Sequence, residues 1–323
     1  MSIDFASQRK NGRFLNVPPR SMAPLSEFIK WARRRDRGGW NPRGADYAIG
    51  APPPARVAPD AARVTFVNHA TVLLQLAGLN ILTDPIWGER ASPVPFAGPR
   101  RARPAGIAFD DLPPIDLILL SHNHYDHLCI DTLRRLARRD RPKLITGLGN
   151  SPVPRRAGLT SIRELDWWEQ TTEGGIEITY VPAQHFSGRG LFDRFKALWG
   201  GFYLRLPAGA VYFAADSGAG PHFEAIRRRL GAPDFAMIPI GAYRPRAIMQ
   251  PVHISPREAV EVHQTIGARE SMAIHFGTFP LADDGQYEPA EKLEAALHEA
   301  GLSQADFWVP AFGEGREIRL TAA

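Results

Sequence analysis

Cysteine is nearly missing from this chain: 323 residues hold one, Cys129. No intrachain disulfide can form, which fits a reducing compartment. No apolar run approaches the roughly 20 residues of a membrane-spanning helix. The opening stretch MSIDFASQRKNGRFLN has no apolar core of signal-peptide length. These absences predict a cytoplasmic protein, soluble or held peripherally at a membrane. A G-x-S-x-G elbow, a P-loop and a G-x-G-x-x-G fingerprint are all lacking, which argues against serine hydrolases, nucleoside triphosphatases and dinucleotide enzymes. Arginine runs such as Arg33-Arg34-Arg35 and Arg227-Arg228-Arg229 contribute to a net charge of +5. They carry no interleaved aromatics of the RNA-binding kind, so no nucleic-acid partner is expected. Solvated helix faces are the ordinary use of such charge, with attraction to anionic lipid as the alternative.

What the chain does have is metal-capable side chains. Residues 122–127 read HNHYDH, three imidazoles and a carboxylate one residue after the largely apolar run Ile115 to Leu120. Imidazole and carboxylate together suit Zn, Fe or Mn. Further candidates follow short β-prone runs: His185 after Ile176 to Val181, Asp216 after Val211 to Ala215, and His275 after Ser271 to Ile274. Strands that deliver side chains at their C-terminal ends are the usual geometry of α/β sites. The candidate ligands are therefore His122, His124, Asp126, His127, His185, Asp216 and His275. A tetrahedral Zn takes about four ligands, so seven suit two ions sharing a carboxylate. A pair of ions lowers the pKa of water between them and neutralises charge on a reacting phosphoryl group.

Around this set, Asp84 ends LTDP and is expected to orient a ligand imidazole; the alternative is capping of the turn before Pro85. His69 in NHAT reads equally as a supporting group or a core histidine. Tyr125, between ligands, points either to the cleft or to the core. Cys129 is expected to be a small buried group at a helix start, the alternative being a thiol that tunes or poisons the metal centre. His222, His263 and His298 are expected to be structural or solvated, and Trp167, Trp168 and Trp199 to belong to core or rim. Phe192, Phe195 and Leu198 have the spacing of ordinary helix packing, with an apolar lip for acyl chains as the other reading.

The pattern along the chain is α/β. Residues 1–58 read as a Pro/Gly/Arg-rich arm with a helix at Ser26 to Arg35; residues 59–323 carry the rest. The arm is expected to pack on the remainder and permits a homodimer. Strands are expected at Val64 to Val67, Thr71 to Leu76 and Asn80 to Thr83, and a hairpin at Pro207-Ala208-Gly209. Helices are expected at Ile130 to Arg139 and near 221–230, 256–266 and 289–300. The Pro-rich stretch Gly88 to Pro114 reads as a functional loop, with Val94, Pro95 and Phe96 lining a pocket, touching lipid or simply packing.

The H-x-H-x-D-H run with later His, Asp and His resembles the metallo-β-lactamase superfamily. More narrowly, the chain resembles the N-acylphosphatidylethanolamine-hydrolysing phospholipase D family. The resemblance runs through NHATVLLQ (68–75), LTDPIWGERASP (82–93), LLSHNHYDHL (119–128), ELDWWE (164–169), KALWGGF (196–202), PIGAYRPR (239–246) and SMAIHFGTF (271–279), over about residues 60 to 310. It implies an αβ/βα four-layer sandwich, two mixed β-sheets flanked by helices. It implies two zinc ions: His122, His124 and His185 on one, Asp126, His127 and His275 on the other, with Asp216 and a hydroxide bridging. It implies that His253, in QPVHISP, contacts the substrate phosphate. Asp126 and His253 are then the catalytic candidates, and Tyr125, if it points to the cleft, is a substrate-site candidate beside His253. The implied reaction cleaves N-acylphosphatidylethanolamine to N-acylethanolamine and phosphatidic acid. The residues also leave open a lactonase, a hydrolase of a soluble phosphoester or cyclic phosphodiester, and a non-catalytic metal-binding scaffold. Asn68, Ala215, Ser217 and Phe276 depart from the family pattern, where Gly at 68 and Trp at 276 are expected.

Overall fold

The runs Leu117–Leu120 and Gly209–Phe213, which end near the candidate site, are apolar on both faces, and the computed structural model explains why. It describes residues 5–41, 47 and 49–321. Residues 1–4, 42–46 and 48 of the expected arm lie outside the described residues. The arm opens with the hairpin β1 (Gln8–Lys10) and β2 (Arg13–Leu15), then α1 (Leu25–Arg33). The expected helix at 26–35 thus starts one residue earlier and ends two sooner.

Seven strands form the first sheet. A meander of β3 (Ala62–Asn68), β4 (Thr71–Leu76) and β5 (Leu79–Thr83) is antiparallel, its β4–β5 turn built on Ala77 and Gly78 with positive φ of 49° and 75°. The chain then crosses to β6 (Leu117–Leu120), α2 (Ile130–Arg139), β7 (Lys143–Gly147), α3 (Pro152–Arg156) and β8 (Ile162–Leu165), with β5 to β8 parallel. The second sheet repeats the plan. Strands β9 (Gln170–Glu173), β10 (Ile176–Val181), β11 (Gly201–Leu206) and β12 (Gly209–Phe213) are antiparallel. They lead through α4 (His222–Leu230) to β13 (Phe235–Pro239), then α5 (Arg246–Met249), α6 (Pro256–Ile266), β14 (Glu270–Ile274), α7 (Glu288–Glu299) and β15 (Phe307–Trp308). From β12 to β15 the pairing is parallel. A last strand, β16 (Gly315–Glu317), returns to β3 in the first sheet.

Packing follows the two-residue period of each strand. Leu117 and Leu119 join the large apolar cluster that also takes in Ile178, Phe202, Phe213 and Ile274 of the second sheet. Their neighbours Ile118 and Leu120 point the other way, against Leu133 and Leu136 of α2. A sheet covered on both faces reads as a near-continuous apolar run, as β6 does. The result is the expected fold: two mixed sheets face to face, with helices outside.

Parallel order puts the C-terminal ends of β12 and β14 on one edge of the second sheet, and those of β5 and β6 on one edge of the first. Helix starts there are well specified. Ser255 accepts the Glu258 amide proton while the Glu258 carboxylate accepts from the Ser255 N–H, and Pro256 occupies the first turn of α6.

One expectation fails. Phe192, Phe195 and Leu198 are not on a helix. The Asp193 carboxylate accepts the N–H groups of Arg189 and Gly190, which ties 188–195 into a turn. Leu198 is fully buried and Phe195 packs against Trp199, 5.7 Å between ring centres. Of the residues offered for the alternative apolar lip, Phe192 alone projects, joined by Leu191, and the two are 79% and 91% exposed. Backbone hydrogen bonds to a nearby carboxylate outcompeted the helical period here.

Candidate metal centre

The strand ends bring the scattered residues together. His122, His124 and His185 form one group of potential ligand atoms, and His69, Asp126, His127 and His275 form another, each set within 4.8 Å of one another. Asp216 lies between them. Its Oδ2 is 3.1 Å from His127 Nε2, 3.2 Å from His275 Nε2 and 3.6 Å from His185 Nε2. Asp126 Oδ2 is 3.4 Å from His127 Nε2 and 3.5 Å from His275 Nε2. In the first group, His124 Nδ1 is 2.9 Å from His122 Nε2 and 3.2 Å from His185 Nε2.

Outer contacts aim these rings. Asp84 Oδ2 sits 2.7 Å from His127 Nδ1 and accepts the Ser121 hydroxyl at 2.5 Å. Ser121 Oγ in turn is 2.9 Å from His122 Nδ1. His185 Nδ1 faces the Val252 carbonyl at 3.0 Å, and His69 Nε2 faces Asp126 Oδ2 at 3.1 Å. Of the two readings offered for Asp84 and His69, both residues therefore touch a candidate ligand. His253 lies beside the pair, its ring centre 5.1 Å from that of His185 and 5.4 Å from that of His275. Tyr125 donates its hydroxyl to the Arg189 carbonyl at 2.8 Å and lies under the Arg189 guanidinium.

The backbone here is strained. His69, Asp84, Ala215 and His275 have φ of 50°, 34°, 52° and 61°. Left-handed non-glycine residues persist where surrounding structure over-determines them. Gly241 packs against the His275 carbonyl so closely that a Cβ would come within 2.1 Å of the oxygen.

Electrostatics favours cations. Burial drives His69 down to about 3 and His124 and His253 to about 4, and holds His122 and His185 well below the usual imidazole range. Burial alone would neutralise Asp126 and Asp216, but neighbouring imidazoles outweigh it and hold both carboxyls well below their ordinary range. Burial opposes charge on His275 too, yet Asp216 and Asp126 raise it to about 9. Against the same burial, these carboxylates, with Asp84, hold His127 well above the usual imidazole range. His122, His124 and His185 are thus neutral as metal binding demands, whereas a cation beside Asp126 and Asp216 would have to displace the protons of His127 and His275.

A metal pair fits this donor set. Asp216 Oδ1 is buried with no hydrogen-bond partner among the described residues, unusual for native interiors. A tetrahedral ion with bonds of 2.0–2.1 Å spaces its ligand nitrogens about 3.3 Å apart, close to the separations around His124.

The family model described as "Beta-lactamase superfamily domain" matches residues 79–276. The N-acyl-phosphatidylethanolamine-hydrolysing phospholipase D 1 of Caenorhabditis elegans is 40% identical over 245 residues, 72% of this chain and 69% of that one. The chain belongs to the N-acylphosphatidylethanolamine-hydrolysing phospholipase D-like family of the β-lactamase superfamily. It is a metal-dependent hydrolase of that fold. A yeast member, named as the mitochondrial N-acyl-phosphatidylethanolamine-hydrolysing phospholipase D of Saccharomyces cerevisiae, is 35% identical over 70% of this chain and 49% of its own length. Among solved structures, a metallo-hydrolase from Ignicoccus hospitalis superposes with a TM-score of 0.62 at 20% identity, covering 81% of this chain and all of that one (100%).

The family departures are absorbed locally. Asn68 donates to the Ile86 carbonyl at 3.2 Å, and Ser217 Oγ accepts the Gln184 amide proton at 3.0 Å. Phe276 stacks flat on Phe66, 5.3 Å between ring centres. Sequence reasoning missed Ser121, although it adjoins HNHYDH, and Arg189, whose guanidinium donates to the Asn123 and Leu128 carbonyls at 2.8 and 2.9 Å. Cys129 precedes α2, is half-buried and not fully buried as expected, and belongs to neither ligand group; of Trp167, Trp168 and Trp199, the first and last are buried. His222 Nε2 lies 3.0 Å from Ser217 Oγ and His263 Nδ1 lies 2.8 Å from Ser271 Oγ, while His298 is exposed.

Proposed function

We propose that this protein is a dinuclear phosphodiesterase of the phospholipase D type, cleaving an N-acylated phosphatidylethanolamine to phosphatidic acid and an N-acylethanolamine. The observation that carries it is the convergence of four strand ends on seven imidazole and carboxylate side chains. In this reading His122, His124 and His185 hold one ion, Asp126, His127 and His275 the other, and Asp216 serves both. Zinc is the metal of choice, and iron or manganese suits the same donors. When bound, such a pair makes water acidic enough to yield hydroxide near neutral pH and withdraws charge from phosphorus.

The chain's own residues do the rest. Asp84 and Ser121 orient His127 and His122, and His69 supports Asp126. His253, kept neutral by burial with Nδ1 unpaired, orients a phosphate oxygen. Beside the HNHYDH loop a cavity of about 1020 Å³ is lined by Tyr125, Leu128, Val94 and Val153 together with Arg134 and Arg156. Glu89, Asp131 and Asp193 also line it, with Asp131 paired to Arg134, so the apolar stretch of Val94, Leu128 and Val153 is the part that suits acyl chains. The arm over 1–58 and the hydrolase unit over 59–323 belong to this reading. Trp31 Nε1 and Arg35 Nε of the arm reach Asp283 at 2.6 and 2.9 Å, near the edge that carries His275.

No helix among the described residues is long and apolar enough to cross a membrane. Access to a lipid substrate then rests on peripheral contact, for which Phe96, Leu191 and Phe192 are the exposed apolar candidates.

The arginines of the same cavity favour a second reading, a soluble phosphoester. Purified protein loaded with zinc should hydrolyse N-acylphosphatidylethanolamine in vesicles, and His185→Ala should abolish turnover. No cleavage of the lipid, with hydrolysis of soluble phosphoesters or lactones instead, sinks the phospholipase reading and leaves the metal centre standing.

A further inference from the structure

His185 leaves the sheet before it reaches the cluster. Strand β10 ends at Val181, so no ladder neighbour holds the His185 peptide. The arm supplies the missing partner from 169 residues upstream. Asn16 Nδ2 donates to the His185 carbonyl at 2.9 Å, and Asn16 Oδ1 accepts the His185 N–H at 3.0 Å. The reciprocal pair fixes the orientation of the amide, since a flip would oppose two donors and two acceptors. Asn16 is buried, 6% exposed, so these bonds are shielded from water. The ring is held separately, with Nδ1 at the Val252 carbonyl and Nε2 toward His124.

Surrounding contacts seat the arm without touching the cluster. Phe14 N donates to the Phe195 carbonyl at 2.8 Å, Gln184 Nε2 donates to the Val17 carbonyl at 2.6 Å, and the Arg13 and Arg20 guanidinium groups reach the carbonyls of Arg194 and Ala219. Asn16 differs from them in spending both ends of its amide on a residue of the cluster itself.

We infer that Asn16 is a positioning residue for the metal centre: it substitutes for a strand neighbour, locks the His185 peptide, and so sets where the His185 imidazole stands. This rests on the reading of His185 as a metal ligand. Groups that orient ligands from outside typically contribute about 10–100-fold in metal affinity.

The test uses the full chain loaded with Zn²⁺ or Co²⁺. Asn16→Asp keeps the shape but sets a carboxylate oxygen against the His185 carbonyl; Asn16→Ala removes both bonds without adding charge. The readouts are ions retained per chain, the rate of extraction by a chelator, the visible spectrum of the Co²⁺ form, and the melting temperature of the metal-free protein. In both variants one of the two ions should leave at least about tenfold faster, with an altered Co²⁺ spectrum and little change in metal-free melting. Extraction rates and spectra equal to the parent overturn the inference. So does a drop in metal-free melting with unchanged metal retention, or loss of the fold in both variants, because Asn16 would then support the core. A parent protein that takes up no metal refutes the metal reading itself, and this role with it.

Discussion

Asp84 and His127 form a pair with no solvent contact, carboxylate oxygen to imidazole nitrogen at 2.7 Å. The Ser121 backbone N–H and hydroxyl hold the same carboxylate at 2.7 and 2.5 Å. Both His127 nitrogens therefore face carboxylates, Nδ1 Asp84 and Nε2 Asp216 at 3.1 Å, which hold the imidazole well above its usual range; with a cation in place of the Nε2 proton, Asp84 would keep the remaining proton on Nδ1. The carboxylate comes from the end of β5, and the imidazole from the loop after β6, its parallel neighbour.

Replacing Asp84 by Asn keeps the volume and removes the charge. Metal affinity of the loaded protein should fall by about 10–100-fold, and turnover at limiting zinc should fall with it. Zinc titration against a competing chelator measures this. An unchanged affinity would mean that Asp84 only caps the turn before Pro85.

The exposed pair Leu191 and Phe192 offers a test of peripheral contact. Full burial of a large apolar side chain is worth roughly 1.5–3 kcal/mol, so even partial insertion of two should be measurable. Leu191→Ser with Phe192→Ser should weaken co-sedimentation with phospholipid vesicles by about tenfold while leaving hydrolysis of a soluble short-chain ester intact. Equal vesicle binding by both proteins would remove this surface from consideration.

His222 couples stability to acid. It is buried on α4 and pushed down to about 3, mainly by burial and then by the Arg20 guanidinium. In the unfolded chain it titrates near 6.5. Between those values the unfolded state binds the extra proton, so stability is complete above about pH 6.5 and is lost as the pH falls toward 3. The maximum contribution is several kcal/mol, at about 1.36 kcal/mol for each pH unit separating the two. His222→Gln should flatten the acid limb of the stability curve, read by denaturant unfolding from pH 7 to pH 4. Parallel curves for the two proteins would refute the assignment.

Much of the architecture was legible because its signals are local. Ile130 to Arg139 reads as a helix from the placing of Ile130, Leu133 and Leu136, and α2 spans those residues. At α6, Pro256 marks the first turn; the reciprocal Ser255–Glu258 bonds that cap it came from the structure. The turn over 188–195 misled because its apolar residues have helical spacing, while the Asp193 carboxylate captures the backbone N–H groups a helix would need.

HNHYDH, the strand runs and the later His185, Asp216 and His275 are properties of the linear chain, since residue type and two-residue alternation need no partner to be read. Distance was decided elsewhere. Parallel pairing of β5 with β6 in one sheet, and of β12 with β13 and β13 with β14 in the other, aligns the strand ends within each sheet, and packing of the two sheets face to face brings them together. The Asn16 pairing with His185 has no counterpart in composition or spacing. Hydrogen bonds between residues 169 apart exist only once both sheets have packed and the arm has closed over them, because nothing in a local window encodes who will be a neighbour.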